Sequence, residues 1–322
     1  MTDNHSDATP KVHLGGSDLA VSPLCLGGNV FGWTADEARS FAVLDAYTAG
    51  GGNFVDTADV YSAWVPGNSG GESETIIGNW LRRRGHHEDI VVATKIGGHP
   101  DAAGLKAANV RATTEASLRR LGTERIDLLY THWDDPQTPV EEFIGALDEL
   151  VRAGKVRAIA ASNISAERLT EALEFSAREG LAAYVAVQPH YNLVSRATYE
   201  GPLAEVVAAH GLASVPYYAL ASGFLTGKYR ADGAAVPSAR ALGAARYLET
   251  PRGPRVLAAL DKVAAIHGVE PATAALAWLG AQPTVVSPIA SARTPEQLPA
   301  LLAAAHLELT PEDLELLGEA SA

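Results

Sequence analysis

The sequence predicts a (β/α)8 TIM barrel, preceded by an N-terminal β-hairpin and followed by one extra C-terminal helix. Eight short apolar or β-branched runs recur along the chain, each followed by a helical pattern. Strands that alternate with helices pair in parallel through right-handed crossovers. Eight such units favour a closed barrel, and 322 residues hold one barrel of about 250 residues with insertions. One domain over residues 11–322 is expected, behind a polar segment 1–10 that is expected to fray.

The elements follow in order. Val12–Leu14 and Leu19–Val21 flank Gly15-Gly16-Ser17-Asp18 and read as a hairpin with a tight turn, placed to plug the barrel bottom. The eight barrel strands are Pro23–Gly27, Asn53–Asp56, Ile90–Lys95, Asp127–His132, Val156–Ser162, Ala183–Gln188, Ala213–Tyr217 and Thr284–Ile289. Thr138-Pro139-Val140-Glu141 supplies an N-cap, an N1 proline and a capping-box acid. Behind it Val140, Phe143, Ile144, Leu147, Leu150 and Val151 repeat with helical spacing, and Gly154 ends the helix. Thr294-Pro295-Glu296-Gln297 and Thr310-Pro311-Glu312-Asp313 are similar starts, the second opening the extra helix Pro311–Ala322. Trp80 and Trp278 fall in helical patterns and belong to the core or to helix–sheet contacts. Two stretches are longer than ordinary loops: Ser62–Glu72, rich in Gly, Ser and Asn, and Ala221–Gly253, rich in Gly, Ala and Arg. Both follow strand ends and so lie on the face that carries chemistry.

Composition narrows the function. A net charge of −13 argues against a general nucleic-acid binder, while leaving room for one local basic pocket that takes a phosphate. No apolar run reaches the roughly 18 residues of a membrane span. Met1–Lys11 carries no apolar stretch of the signal-peptide kind. The lone Cys25 sits in an apolar run and reads as a buried small residue in a reducing compartment. A cytoplasmic protein without membrane or nucleic-acid partners is expected; nothing in the sequence sets an oligomeric state.

Several familiar sites are absent. There is no Gly-x-Gly-x-x-Gly. Gly223-Phe224-Leu225-Thr226-Gly227-Lys228-Tyr229 fails as a P-loop, because Tyr229 stands where Ser or Thr must hold magnesium. His86-His87 are adjacent in a turn and point apart, so no metal site is expected.

Four residues stand out at the ends of strand-like runs. Asp56 closes Asn53–Asp56, and Tyr61 follows it; Lys95 closes Ile90–Lys95; His132 closes Asp127–His132. Taken singly, each has a plainer explanation: a cap, a core aromatic, a solvated lysine, a core histidine. At the ends of three neighbouring strands, where barrel enzymes place their chemistry, those explanations fit poorly together. A tyrosine, a lysine, a carboxylate and a histidine suggest a phenol acting as an acid beside a cation. Trp33, Trp64 and Trp133 fall in loops on the same face and suggest an aromatic substrate pocket, with loop packing the rival for Trp133.

The chain resembles the aldo-keto reductases. Asp56-Thr57-Ala58-x-x-Tyr61 with Gly71-Glu72-Ser73-Glu74 resembles their first signature, and Ile126-Asp127-Leu128-Leu129-Tyr130-x-His132 the second. Lys155-Val156-Arg157-x-Ile159-x-x-Ser162-Asn163, Gln188-x-x-Tyr191-Asn192 and Gly223-x-Leu225-Thr226-Gly227-Lys228-Tyr229 match later segments in the right order. Among its members the motif run is most similar to bacterial oxidoreductases and potassium-channel β subunits. The resemblance implies reduction of an aldehyde or ketone by a nicotinamide cofactor. Tyr61 would be the general acid, its pKa lowered by Lys95; Asp56 would place Lys95; His132 would orient the carbonyl. It implies that Ser162, Asn163 and Gln188 hold the nicotinamide carboxamide and that Tyr217 stacks on the ring. Leu220, Ser222, Gly223 and Lys228 would line the pyrophosphate. Ser291, Arg293 and Gln297 would stand at the 2′-phosphate, Gln297 also being placed to cap its helix. Tyr218 replaces a common serine, and Ala300-Leu301 replace a common Glu-Asn pair at the adenine. NADP(H) is favoured over NAD(H). The substrate is a small carbonyl compound; a keto-deoxysugar reductase and a nucleotide-sensing, channel-β-like binding subunit remain alternatives.

Overall fold

In a computed structural model, which describes residues 10–86, 88–230 and 238–322, the chain builds a parallel eight-stranded sheet wrapped by helices. The polar N-terminus expected to fray lies, apart from Pro10, outside the described residues, as does His87 of the His86-His87 pair.

A hairpin comes first: β1 (Val12–His13) pairs antiparallel with β2 (Ala20–Val21), matching Val12 with Val21 and His13 with Ala20. The barrel strands follow as β3 (Cys25–Gly27), β4 (Phe54–Asp56), β5 (Val91–Ile96), β6 (Ile126–Thr131), β7 (Val156–Ser162), β8 (Tyr184–Gln188), β9 (Ala213–Ser214) and β10 (Ile289–Ala290). Their order is β10-β3-β4-β5-β6-β7-β8-β9, all parallel. A parallel bridge between Ser214 and Val285 joins the last strand to the segment leading into β10 and brings the sheet round on itself.

Helices α1 (Glu37–Ala49), α2 (Glu72–Arg84), α3 (Ala107–Leu121), α4 (Val140–Arg152), α5 (Ala166–Glu179) and α6 (Pro202–Ala209) connect successive strands. After β9 come α7 (Ala241–Ala245), α8 (Arg252–His267) and α9 (Pro271–Gly280), and after β10 come α10 (Leu298–Leu302) and α11 (Pro311–Ser321). The apolar sides of helices and strands form one outer core, in which Trp80 and Trp278 are buried. A second core fills the barrel, and Leu14, Leu19 and Val21 of the hairpin join it from below. The hairpin therefore closes the barrel bottom, and Gly15, at φ 53°, sits where any Cβ would overlap the Val185 carbonyl.

Four expectations shift. The strand expected over Thr284–Ile289 is regular only at Ile289–Ala290, because Thr284 takes a φ of 66° and Pro216 and Pro288 offer no N–H to the ladder. The strand expected over Ala213–Tyr217 is shortened to β9 by the same Pro216. Helix α4 begins one residue later than its sequence suggests, with Pro139 at the cap, because the Thr138 hydroxyl donates to Asp135 Oδ2 at 2.6 Å. Of the long segment Ala221–Gly253, residues 231–237 lie outside the described residues; the rest is not irregular throughout but holds 3-10 turns at Ala221–Thr226 and Arg246–Glu249 and helix α7. The start of α11 is as expected, with a capping box between Thr310 and Asp313.

Among the described residues no helix is long and apolar enough to cross a membrane. No group of three or more His, Cys, Asp or Glu among them could hold a metal ion.

Candidate active site

Side chains alternate across a strand, so a strand that lines the barrel interior presents every second residue to it. Cys25, Phe54, Ala93, Tyr130, Ala160, Ala186 and Val215 fill the interior. The next residues on the same faces, two positions on, are Gly27, Asp56, Lys95, His132, Ser162, Gln188 and Tyr217. One periodicity thus builds the core below and the polar mouth above. Strand register sets neighbours: Asp56 stands opposite Gly27 and Ala93, Lys95 opposite Tyr130, and Ser162 opposite Gln188.

Lys95 is the hub. It is 1% exposed, and its ammonium lies 2.7 Å from both Asp56 carboxylate oxygens, 2.8 Å from the Thr57 carbonyl and 2.9 Å from Tyr61 Oη. The Asp56 carboxylate also accepts from Gln188 Nε2 at 2.9 Å. Asp56 and Lys95 thereby form a buried ion pair whose remaining positions are used by other hydrogen bonds, as such a pair requires.

Burial, and then the Asp56 carboxylate, push the Tyr61 phenol well above its ordinary value of 10. This corrects the expectation that Lys95 lowers it. The ammonium is already matched by Asp56, so the pair brings little net charge to the phenol, and loss of solvation prevails. Tyr61 is a neutral phenol at neutral pH, and its hydroxyl donates to Asp56 Oδ2 at 3.3 Å.

Burial, reinforced by the Lys95 charge, pushes His132 well below 6.5. Its Nδ1 is buried without a hydrogen-bond partner among the described residues. A proton there would be an unpaired buried donor, which favours a neutral ring with its proton on Nε2. The His132 ring packs 6.1 Å from the Tyr61 ring and stacks on Trp133 at 3.7 Å.

Beside this group, Tyr217 Oη donates to Asn163 Oδ1 at 2.8 Å, Asn163 Nδ2 donates to the His132 carbonyl at 2.8 Å, and Ser162 Oγ donates to the Gln188 carbonyl at 2.8 Å. Asn163 Nδ2 spends its second hydrogen on Ser162 Oγ at 3.1 Å, so Asn163 keeps only acceptor capacity, while Gln188, which gives one hydrogen to Asp56, keeps a donor for a further amide. The Tyr217 ring stacks on His190.

Further along the mouth, Ala221 and Ser222 take φ of 48° and 58°, followed by Gly223 at 90°. Ser62, Asn163 and Tyr218 are also left-handed; of the described non-glycine residues with positive φ, only Thr284 lies away from this mouth. Strained backbone of this kind gathers where a site needs an unusual shape. Ser291 Oγ donates to Asn29 Oδ1 at 2.7 Å. Gln297 accepts from the Arg293 N–H at 2.7 Å, one residue before the expected cap, and Thr294 makes no side-chain cap. The expected capping box is therefore absent here, although the Gln297 amide still ties the helix start together.

These groups border one cavity of about 790 Å³, which every candidate site residue lines except Lys95, buried behind Tyr61. Asn29 and Arg240 also line it and escaped the sequence reading. Asn29 is held by Ser291. Tyr218, already noted for replacing a common serine, projects into it, 46% exposed. Arg240 lies with its guanidinium 5.5 Å from the Trp33 ring, and burial lowers its pKa. Arg240 sits in the long segment singled out by length, which carries no periodic signal that picks one arginine. The Ser73-Glu74 part of the first signature forms a supporting layer: Ser73 donates to the Gly28 carbonyl, and Glu74 accepts from Thr94 and Arg120, tying the first three strand ends together.

A barrel with ionisable residues gathered at the C-terminal ends of its strands belongs to a large class of enzymes. Residues 23–322 match the family model described as the aldo/keto reductase family. The chain is 34% identical to Protein tas of Escherichia coli (strain K12), with 92% of this chain and 93% of that one covered. It is 32% identical to norsolorinic acid reductase B of Aspergillus parasiticus, over 94% of this chain and 82% of that one. It is 33% identical to a probable voltage-gated potassium channel subunit beta of Arabidopsis thaliana, over 89% and 88%. The chain belongs to the aldo/keto reductase family and is an oxidoreductase.

Proposed function

We propose that this chain reduces an aldehyde or ketone to an alcohol with NADP(H), Tyr61 acting as the general acid. The observation that carries this is the contact of Tyr61 Oη with Lys95 Nζ at 2.9 Å, at the wall of the cavity. A neutral phenol backed by a buried ammonium loses its proton to an oxygen that is gaining negative charge, and the ammonium is in place to receive the resulting tyrosinate.

The cavity wall fits a nicotinamide dinucleotide. Lys228, Arg240 and Arg293 line it, giving cations for phosphates in a chain that is otherwise acidic. The left-handed turn at Ala221–Gly223 leaves room for close backbone approach. Asn163 and Gln188, with Ser162, suit a carboxamide; Tyr217 suits the ring; Leu220, Ser222, Gly223 and Lys228 suit the pyrophosphate; and Ser291, Arg293 and Gln297 suit the 2′-phosphate. When bound, the nicotinamide supplies the hydride, which no protein side chain can. The chain's own residues do the rest. Tyr61 gives its proton to the carbonyl oxygen and regains one from solvent. Lys95 and Asp56 hold the phenol in place. Neutral His132 hydrogen-bonds the oxygen and orients the carbonyl. Arg293 favours NADPH over NADH, and the reaction suits a cytoplasmic enzyme.

A carbonyl panel assayed with NADPH and NADH in parallel tests this. Turnover with NADPH supports it. Tight nucleotide binding with negligible turnover across the panel supports instead a sensing subunit, the reading favoured by the likeness to channel β subunits.

A further inference from the structure

We infer that the substrate carbonyl is borne on a planar aromatic ring system rather than on a sugar or other polyhydroxylated chain; this rests on the reductase reading above. Five large apolar side chains are exposed among the described residues; Leu242 and Ile266 lie outside the cavity, and the three aromatic ones lie together. Trp64, Trp133 and Tyr218 are 49%, 46% and 46% exposed, and all three line the one cavity around Tyr61. An exposed apolar surface gathered in one concave place marks a binding site rather than chance.

The aromatic wall is built in advance of any ligand. Trp33 meets Trp64 edge to face with ring centres 5.7 Å apart, and Trp64 meets Tyr61 at 6.2 Å. The loops carrying these tryptophans are pinned together. Ser62 Oγ donates to the Phe31 carbonyl at 2.7 Å, and Asn68 Nδ2 donates to the carbonyls of Gly32 and Ser62, both at 3.1 Å. On the other loop, Trp133 stacks on His132 and lies against Gly98, where a Cβ would overlap its ring. Edge and face contacts of this type repeat readily with one more flat ring.

The same wall offers little to hydroxyl groups. The carboxylate beside Tyr61, Asp56, is engaged by Lys95 and Gln188, and the other two that line the cavity, Glu270 and Glu296, stand at the start of α9 and beside Gln297. A polyol would leave several hydroxyls without partners on entering, and that costs more than the ring contacts return.

The test compares kcat/KM for 2-naphthaldehyde, cyclohexanecarbaldehyde and an aldose, with NADPH and the full chain, in the parent protein and in Trp64→Ala and Trp64→Phe. The parent is expected to favour 2-naphthaldehyde over cyclohexanecarbaldehyde by at least about tenfold. That ratio should fall about tenfold in Trp64→Ala, chiefly through KM, and be partly restored in Trp64→Phe. Circular dichroism and NADPH fluorescence titration check that the variants fold and bind nucleotide. Turnover that favours the aldose, or a ratio that Trp64→Ala leaves unmoved, overturns the aromatic assignment alone. No turnover of any of the three, with NADPH bound, overturns the reductase reading and this assignment with it.

Discussion

Lys95 Nζ lies 2.9 Å from the Tyr61 phenol oxygen while bridging both oxygens of Asp56 at 2.7 Å. The ammonium and the carboxylate cancel, so the phenol faces a nearly neutral unit and not a bare cation. Burial then keeps its proton on. An acid that stays protonated across the neutral range, with a positive group fixed behind it, suits delivery of a proton only when a reacting oxygen demands one.

Asp56→Asn leaves the buried Lys95 charge without its counter-ion. Breaking one side of a buried pair costs about 3–5 kcal/mol. The variant should melt several degrees below the parent in a thermal denaturation followed by circular dichroism. A melting temperature within about 1 °C of the parent would contradict the buried pair as described.

Asp59 should make the protein less stable as pH rises. Burial, with the Glu74 carboxylate as the next cause and with Arg120 and the Val60 and Gly97 backbone N–H groups opposing, pushes its carboxyl up to about 7. A carboxyl raised in the folded state keeps a proton that the unfolded chain has released. Its contribution is therefore full below the unfolded value near 3.8 and lost as pH rises through about 7. Asp59→Asn should raise the melting temperature at pH 8 more than at pH 5; an equal change at both would sink the argument.

The strand faces were legible because a two-residue period on a β-branched run carries both the barrel core and the polar mouth. Asp56, Lys95 and His132 could be placed from strand ends alone. Other features depend on contacts between distant segments. The rise of the Tyr61 pKa follows from burial, which no local pattern reveals. The Arg240 guanidinium reaches the cavity by packing on Trp33, some two hundred residues earlier by numbering. The shortened last strands follow from two prolines, Pro216 and Pro288, whose lost donors matter only once the strands are known to be neighbours. The shift at the start of α4 turns on a hydroxyl choosing Asp135 over the helix end.

Arg293→Ala should weaken NADPH binding by about ten- to hundredfold and NADH binding much less, since a charged hydrogen bond to phosphate is worth roughly 1.5–3 kcal/mol. Fluorescence titration with each nucleotide reads this directly. Equal weakening of both would place Arg293 away from the third phosphate.

Gly98→Ala should disturb the mouth without touching the ion pair. A Cβ at this position collides with the Trp133 ring and crowds His132 Nδ1 at 2.9 Å. Carbonyl turnover should drop while NADPH affinity is kept. Unchanged kcat/KM would mean that the His132–Trp133 stack has no part in orienting the substrate.

The most direct test of the account is Tyr61→Phe, assayed by NADPH oxidation with a carbonyl that the parent reduces. Removing one hydroxyl takes away the proton donor and leaves the ring packing in place. The account expects kcat to fall by about 10²–10⁴, with the NADPH dissociation constant changed less than about threefold. A Tyr61→Phe protein that turns over at close to the parent rate would contradict it.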